Sequence, residues 1–212
     1  MKMKYVLTSL VAFVAIGMTG CGSSNSNDAK AYNGVFVDDA VNGVHWVCGD
    51  KSGETRTENG SMGHFGACPA GSTVEFSIGN LILGSSSETN DGVFFVTDIV
   101  GVSRDTIDNE EVLKIAQVLQ SLDSDGISGN GISIDSKLAA EEINKMVETD
   151  KKLSDIDDLD TGLGLSKVVT EMQKTHKDMT VKTKKEAEAN LAESKENIDN
   201  GDYKPEDVTG AN

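Results

Sequence analysis

The sequence has few aromatic or basic side chains and only two prolines. Aromatic residues make up 5% of the 212 positions, and 19 Lys and Arg stand against 35 Asp and Glu, for a net charge of −16. Nucleic acids and anionic membrane surfaces bind basic patches, so we expect neither as a direct partner. A hydrophobic fraction of 37% predicts a modest core.

Catalytic motifs are also lacking. The sequence contains no G-x-S-x-G nucleophile elbow and no HExxH zinc motif. The glycine-rich stretch at 126–131 is not followed by the lysine of a phosphate-binding loop, and His45, His64 and His176 belong to no catalytic sequence motif that we recognise. We therefore predict a protein that is not an enzyme and needs no cofactor. A small hydrolase with scattered catalytic residues is the remote alternative.

The first 20 residues have the pattern of a secretory signal peptide. Lys2 and Lys4 precede an apolar run at 6–16, which is too short for a bilayer-spanning helix of about 20 residues. The segment Met18-Thr-Gly-Cys21 resembles a bacterial lipobox, in which the signal is cleaved before a cysteine that carries diacylglycerol. Cys21 is the predicted lipidation site. The alternative is an ordinary secreted protein with a free Cys21.

Lipidation would place the protein in the cell envelope. Two or three acyl chains, palmitate among them, anchor a protein firmly, whereas one chain anchors it weakly. Gly22 stands where an Asp would indicate retention in the inner membrane, so we expect the outer membrane, on its periplasmic or surface face. Residues 21–30 are then a lipidated polar tether.

The composition changes near residue 100. Seven aromatic residues lie between positions 32 and 95, and none lies between 96 and 202. In the segment 31–100, Val74, Phe76 and Ile78 alternate with polar residues, as in a half-buried strand. The pairs Asn33-Gly34, Asn42-Gly43 and Asn59-Gly60 indicate turns. Short strands at this spacing predict a small β-sandwich.

The segment 101–200 has helical periodicity. Asp108, Ser136 and Ser166 are the predicted N-caps of three helices, and 132–134 is a predicted short extended segment. The stretch Thr180–Ile198, rich in Ala, Glu and Lys, predicts a solvated helix that is marginal without a partner. Residues 201–212 are a predicted disordered tail. The predicted fold class is therefore α+β, a small disulfide-linked β-sandwich followed by an α-helical C-terminal region.

Two cysteines remain once Cys21 is assigned to lipid. In an oxidising compartment, Cys48 and Cys68 indicate a disulfide that supports a thin core. The alternative is a zinc site, because His45 and His64 lie three and four residues before these cysteines. If 44–48 is a strand, however, His45 and Cys48 point to opposite faces and cannot bind one ion.

An acidic turn at Asp123-Ser-Asp125-Gly126 partly matches a calcium-binding loop. Asp123 and Asp125 would fill the third and fifth ligand positions of an EF-hand, but Ser121 and Ile132 stand at the first and last. We interpret the segment as an acidic turn after a helix and expect no structural need for metal. The cluster of Asp155, Asp157, Asp158 and Asp160 is interpreted as a solvated linker.

Part of the chain resembles a known kind of module. The segments Gly34-Val-Phe-Val-Asp38, Gly43-Val-His-Trp-Val-Cys48, Gly63-His-Phe-Gly-Ala-Cys68 and Val74-Glu-Phe-Ser-Ile-Gly79 resemble a β-module of proteobacterial secreted lipoproteins and adhesin-like proteins. The run 118–132 is similar to a helix and loop that often follow it. The resemblance covers about 32–135 and implies a paired Cys48 and Cys68 but no reaction. Trp46 replaces a more frequent Tyr, and we expect it in the core.

These observations predict a non-catalytic, membrane-anchored envelope lipoprotein that acts as an adhesin-like binding or display module. Its partner would be a protein or a glycan. The alternative is an envelope assembly or maintenance factor whose helical half engages another protein. A binding module predicts an exposed aromatic patch on the β-segment, whereas an assembly factor predicts an exposed apolar groove between helices. A hydrolase predicts a cleft with a perturbed titratable group.

Overall fold

The structure, a computed structural model, describes residues 31–205. The strands are β1 (Tyr32–Val37), β2 (Val41–Asn42), β3 (His45–Cys48), β4 (Lys51–Glu54), β5 (Arg56–Glu58), β6 (Ser61–Cys68), β7 (Thr73–Ile78), β8 (Leu81–Ser87), β9 (Val93–Phe95), β10 (Ile132–Ser133) and β11 (Lys151–Lys152). The α-helices are α1 (Val96–Val100), α2 (Glu110–Ser121), α3 (Ser136–Met146), α4 (Leu165–Met172) and α5 (Lys184–Asn200). A 3-10 turn (Leu153–Asp155) and a π-helical turn (Leu159–Leu163) separate β11 from α4. The architecture is the predicted mixture of strands and helices.

The strands form two larger sheets and one small pair. The first sheet has the order β5-β6-β1-β9, and the second has the order β11-β8-β7-β3-β4. Strand β10 pairs in parallel with β2. The predicted alternation holds in β7, because Val74, Phe76 and Ile78 are buried whereas Glu75 is exposed.

Aromatic side chains from the two larger sheets meet in the core. Phe36 on β1 stacks on Phe76 on β7 with ring centroids 4.3 Å apart. Phe65 on β6 meets Phe76 edge-on at 5.3 Å and Trp46 on β3 at 5.8 Å. Each such pair stabilises the fold by about 0.5–1.5 kcal/mol beyond the area it buries. Trp46 is 7% exposed, which confirms its predicted core position.

The disulfide between Cys48 and Cys68 is confirmed. Cys48 is the last residue of β3 and Cys68 the last residue of β6, so the bond joins the second sheet to the first. The Cα atoms are 5.6 Å apart, an ordinary distance for a disulfide. In the chain-entropy model, a cross-link across 20 residues of sequence contributes about 3 kcal/mol.

The zinc alternative at these cysteines is wrong. Both sulfur atoms are bonded to each other, which leaves no thiolate to bind a metal. His45 is exposed whereas Cys48 is buried, so the two side chains of β3 point to opposite faces.

Two predicted turns are confirmed and one is wrong. Asn59-Gly60 joins β5 to β6 with φ angles of 49° and 90°, and Gly43, with φ of 84°, separates β2 from β3. Asn33-Gly34, in contrast, lies inside β1. A Cβ atom on Gly34 would come within 2.5 Å of a Phe65 ring carbon. Glycine is needed here for close aromatic packing and not for a turn.

The predicted helices are present, but their N-caps differ. The caps are Asn109 instead of Asp108 for α2, Asp135 instead of Ser136 for α3 and Gly164 instead of Ser166 for α4. The Asn109 side chain accepts hydrogen bonds from the N–H groups of Glu111 and Val112. Adjacent polar residues compete for the cap, and the sequence alone does not show which side chain faces the free N–H groups.

Strand pairing crosses the predicted boundary near residue 100. Strand β10 extends β2, and β11 adds to the edge of the second sheet beside β8. The buried side chains of both segments also form one hydrophobic cluster. The boundary stays a prediction, but two independently behaving parts do not fit these pairings.

Helix α5 packs against α2 through a narrow buried face. Ala187, Leu191 and Ser194 are buried, and Thr183 and Glu186 form a capping box at the N-terminus. After α5, Tyr203 packs against the core, which the prediction of a disordered tail from residue 201 did not anticipate. Within residues 31–205, no helix has the length and apolar character needed to cross a membrane.

Candidate functional site

A cleft of about 470 Å³ opens where four segments meet. Its walls are the turn after β1, the β5–β6 hairpin, the loop before β10 and the segment after α5, which contribute Asp39, Met62, His64, Asn130 and Tyr203 among others. Ligand-binding clefts commonly have volumes of about 300–1,000 Å³ and combine apolar walls with a few polar groups. This cleft is the candidate site.

Asp39 fixes the geometry of the cleft. Asp39 and Ala40 have φ angles of 67° and 46°, a left-handed conformation that costs about 1–2 kcal/mol for a residue with a side chain. One Asp39 carboxylate oxygen accepts hydrogen bonds from the N–H groups of Gly129 (3.0 Å) and Gly131 (3.2 Å). The other oxygen accepts from the Tyr203 hydroxyl at 3.3 Å. Asp39 therefore joins three of the four walls.

The neighbouring residue Asp38 is completely buried. Its two carboxylate oxygens lie 3.1 and 3.2 Å from the Gln120 side-chain nitrogen, which donates to them from α2. Burial raises the pKa of Asp38 to about 8, although the Gln120 hydrogen bond lowers it and the Asp39 charge raises it further. The Asp38 carboxyl thus holds its proton near neutral pH.

Gln120 connects this buried carboxyl to α5. The Gln120 side-chain oxygen accepts a hydrogen bond from Asn190 at 2.9 Å, and the Gln120 nitrogen also donates to the Ala187 carbonyl at 3.4 Å. A cavity of about 20 Å³ lies beside Gln120 and is also lined by Asp123, Lys182 and Asn190. Its size and polar walls suit one water molecule.

The two acidic side chains singled out as weak calcium ligands stabilise the loop after α2. Asp123 accepts from the Ser133 N–H group at 3.0 Å. Asp125 accepts from the Ile127 N–H group at 2.9 Å and from the Asn130 amide at 2.9 Å. Within residues 31–205, no group of three or more His, Cys, Asp or Glu side chains is placed to hold a metal ion. The carboxylates of this turn serve as hydrogen-bond acceptors for its backbone and side chains.

The electrostatics of these two carboxylates differ. Burial raises the pKa of Asp123 to about 6, with a further rise from the Asp125 charge. The hydrogen bond from the Ile127 N–H group lowers the pKa of Asp125. Burial also raises the pKa of the Tyr203 phenol to about 12, reinforced by the charge of Asp39. Asp123 and Tyr203 therefore keep their protons to a higher pH than free side chains do, whereas Asp125 loses its proton more easily.

The aromatic patch expected on the β-segment is not found among the described residues. Across residues 31–205, the exposed large apolar side chains are Val47, Ile127, Met146 and Val181; none is aromatic, and only Val47 belongs to the β-segment. All seven aromatic residues between positions 32 and 95 are buried. The aromatic ring at the cleft is Tyr203, which comes from the segment after α5.

The groove between helices is charged instead of apolar. A groove of about 220 Å³ beside α2 and α5 is lined by Glu110, Lys114, Asp157, Asp158 and Lys184 among others. Lys114 donates to the Ile156 carbonyl at 2.7 Å. An assembly factor that binds a partner's apolar face would need a different lining here.

Sequence reasoning reached only part of this site. It named His64, which lines the cleft, and Asp125, which bonds to Asn130 in its wall, but it missed Asp39 in the cleft and the buried pair of Asp38 and Gln120. A signal was present, because two consecutive acidic residues follow the buried run of β1, where a strand enters a turn. Cys21, the predicted lipidation site, lies outside the described residues.

Comparison with known proteins gives no relative. No protein-family model, curated protein or solved structure matches the chain. The resemblance to adhesin-like lipoproteins therefore stays a prediction.

Proposed function

We propose that the protein is a lipid-anchored lipoprotein of the outer membrane that binds a partner in the cleft around Asp39 and does not catalyse a reaction. The cleft carries the proposal, because turns and loops from both segments converge there and line it with polar and apolar side chains. The disulfide supports an oxidising compartment outside the cytoplasm. The lipobox-like segment ending at Cys21 supports anchoring.

Accessibility favours binding over acid–base catalysis. Asp38 and Asp123 have carboxyl groups with raised pKa, as a general acid requires. Their exposure is 0% and 4%, however, so neither is placed to reach a ligand in the cleft. Asp39 lines the cleft, but it is already bound by two N–H groups and one hydroxyl.

The scaffold of this module is proposed to be a β-sandwich. Phe36 and Phe65 of the first sheet contact Phe76 of the second, and the disulfide joins the two sheets. Facing sheets with interdigitated inner side chains are the arrangement of a sandwich. Its rigidity would hold the β5–β6 hairpin in place as one wall of the cleft.

Site-specific photo-crosslinking in living cells tests the proposed binding site. A benzophenone amino acid at Met62, in the cleft, should capture a protein or glycan adduct visible as a mass shift. The same amino acid at Val47, an exposed position on β3, is the matched control. Equal labelling at both positions, or none at Met62, would contradict binding in the cleft.

A further inference from the structure

The last part of the described chain is held at one place on the β-segment. Gln120 donates to the Asp38 carboxylate and accepts from Asn190 of α5. One residue further along, Asp39 accepts from the Tyr203 hydroxyl. Two consecutive acidic residues are thus connected to the end of the chain: Asp38 to α5 through Gln120, and Asp39 directly to the segment that follows α5.

The apolar contact that holds α5 is narrow. Its buried residues are Ala187, Leu191 and Ser194 among 17 positions. Its ion pairs from Lys184 and Lys195 involve partners that are 80% and 85% exposed, and such surface pairs contribute little. A helix with so narrow an apolar face depends on its docking contacts.

We propose that α5 and residues 201–205 form a releasable latch that closes one wall of the cleft, and that ionisation of the buried Asp38 carboxyl opens this latch. Asp202, Tyr203 and Lys204 line the cleft, so release of the latch removes that wall. This inference goes beyond the binding function, and it holds whatever the cleft binds.

The surroundings of Asp38 disfavour a negative charge. The groups that act on it are the Gln120 amide, which is uncharged, and the Asp39 carboxylate, which repels it. Tyr203, from the segment after α5, lies near enough for the Asp38 charge to raise the pKa of its phenol, and it offers no positive charge. The cation Lys182 acts on Asp123 instead. A buried charge without an opposite charge destabilises the docked state.

The direction of the pH dependence follows from this placement. The docked Asp38 has its pKa raised from 3.8 to about 8, whereas in the released state the carboxyl returns towards its ordinary pKa. The docked state therefore binds the proton more tightly. Its stability is complete below pH 3.8 and is lost as the pH rises to about 8.

Hydrogen exchange measured by mass spectrometry on the full-length protein tests the latch. After correction for the intrinsic exchange rate, the protection of amides in α5 should fall at least about tenfold between about pH 5 and pH 8.5. In Asp38→Asn this fall should shrink to less than about threefold, because the carboxamide cannot ionise. Asp123→Asn, which removes another buried carboxyl, should retain the wild-type fall.

The latch would be overturned if the protection of α5 amides in the wild type did not change with pH. It would also be overturned if protection fell as much in Asp38→Asn as in the wild type. Should Asp38→Asn fail to fold, Tyr203→Phe provides a second test, because it removes the bond to Asp39 and leaves Asp38 intact. Tyr203→Phe should expose residues 201–204 already at about pH 5 while α5 keeps its pH dependence. Unchanged protection of residues 201–204 in this variant would contradict the proposed attachment.

Discussion

A Cβ atom at Gly34 would lie 2.5 Å from the Cζ atom of Phe65, closer than two non-bonded carbon atoms can approach. The same Cβ would lie 2.6 Å from a ring carbon of Phe94. Gly34 therefore allows two aromatic rings of the first sheet to meet over the backbone of β1. The contact between these two rings is possible because residue 34 has no side chain.

Gly34→Ala should destabilise the fold by about 1–3 kcal/mol, the usual cost of overpacking a core. The rings would have to leave their preferred rotamers, and the contact between Phe65 and Phe76 would loosen. Urea unfolding measures the change. Ser52→Ala, at an exposed position of β4, is the control and should change stability by less than about 0.5 kcal/mol. Equal stability of the two variants would show that the core can adapt.

Replacing Cys48 and Cys68 with serine should cost about 3 kcal/mol, because the unfolded chain gains the freedom of an open loop. The double variant should unfold at a lower temperature than the oxidised wild type. Alkylation of the native protein without reductant should modify neither residue. If both cysteines were alkylated in native material, the disulfide would not be present in the cell.

Arg104 should stabilise the fold more at neutral than at acidic pH. Its guanidinium donates to Asp98 at 2.9 Å and to the Val93 carbonyl at 2.6 Å, and it pairs with Asp91. Burial would raise the pKa of Asp91, but hydrogen bonds from Arg104 and from the Val93 N–H group lower it. This stabilisation is present above the ordinary pKa of 3.8 and is lost as the pH falls through the lowered value.

Arg104→Gln should therefore lower the free energy of unfolding by about 1–3 kcal/mol at neutral pH, with a smaller effect near pH 3. Arg56→Gln is the matched control, because Arg56 pairs with Glu58 on the surface and is 59% exposed. Its effect should stay below about 1 kcal/mol. Denaturant unfolding at the two pH values measures both effects. An equal loss of unfolding free energy in the two variants would contradict a special stabilising role of the Arg104 contacts.

A chain that ends at residue 100 should not fold into the structure seen here. It would lose β10, which pairs with β2, and β11, which pairs with β8. It would also expose apolar side chains that now contact α2 and the turn after β11. Circular dichroism and thermal unfolding should show a broad transition. A sharp transition at the wild-type temperature would show instead that the residues up to 100 fold independently of the rest.

Local features of the fold could be predicted from the sequence, whereas the packing of distant residues against one another could not. The alternation in β7, the hairpin turn at Asn59-Gly60 and the Cys48–Cys68 pair were all predicted, because each depends on neighbouring residues or on a pairing without competitors. The prediction of a turn at Gly34 was wrong because glycine is needed there to make room for Phe65 and Phe94, which lie 31 and 60 positions away in the sequence. Long-range aromatic packing leaves no local pattern.

The candidate site was harder to predict for the same reason. Asp39 gains its role from the N–H groups of Gly129 and Gly131 and from Tyr203, which are separated from it by 90, 92 and 164 positions. Asp38 looked like any acidic residue after a strand. Its raised pKa comes from its burial and from the Asp39 charge, while the Gln120 hydrogen bond lowers the pKa, and none of these contacts is visible in the local sequence.

Lipid anchoring at Cys21 is the claim on which the envelope function depends, and mass spectrometry of the mature N-terminus combined with cell fractionation tests it directly. We expect the wild-type protein to begin at an acylated Cys21 and to reside in the outer-membrane fraction. Cys21→Ser should be unacylated and absent from that fraction, with the fold around Cys48 and Cys68 unchanged. A Cys21→Ser protein that is cleaved at the same site and stays bound to the membrane would contradict the lipoprotein assignment.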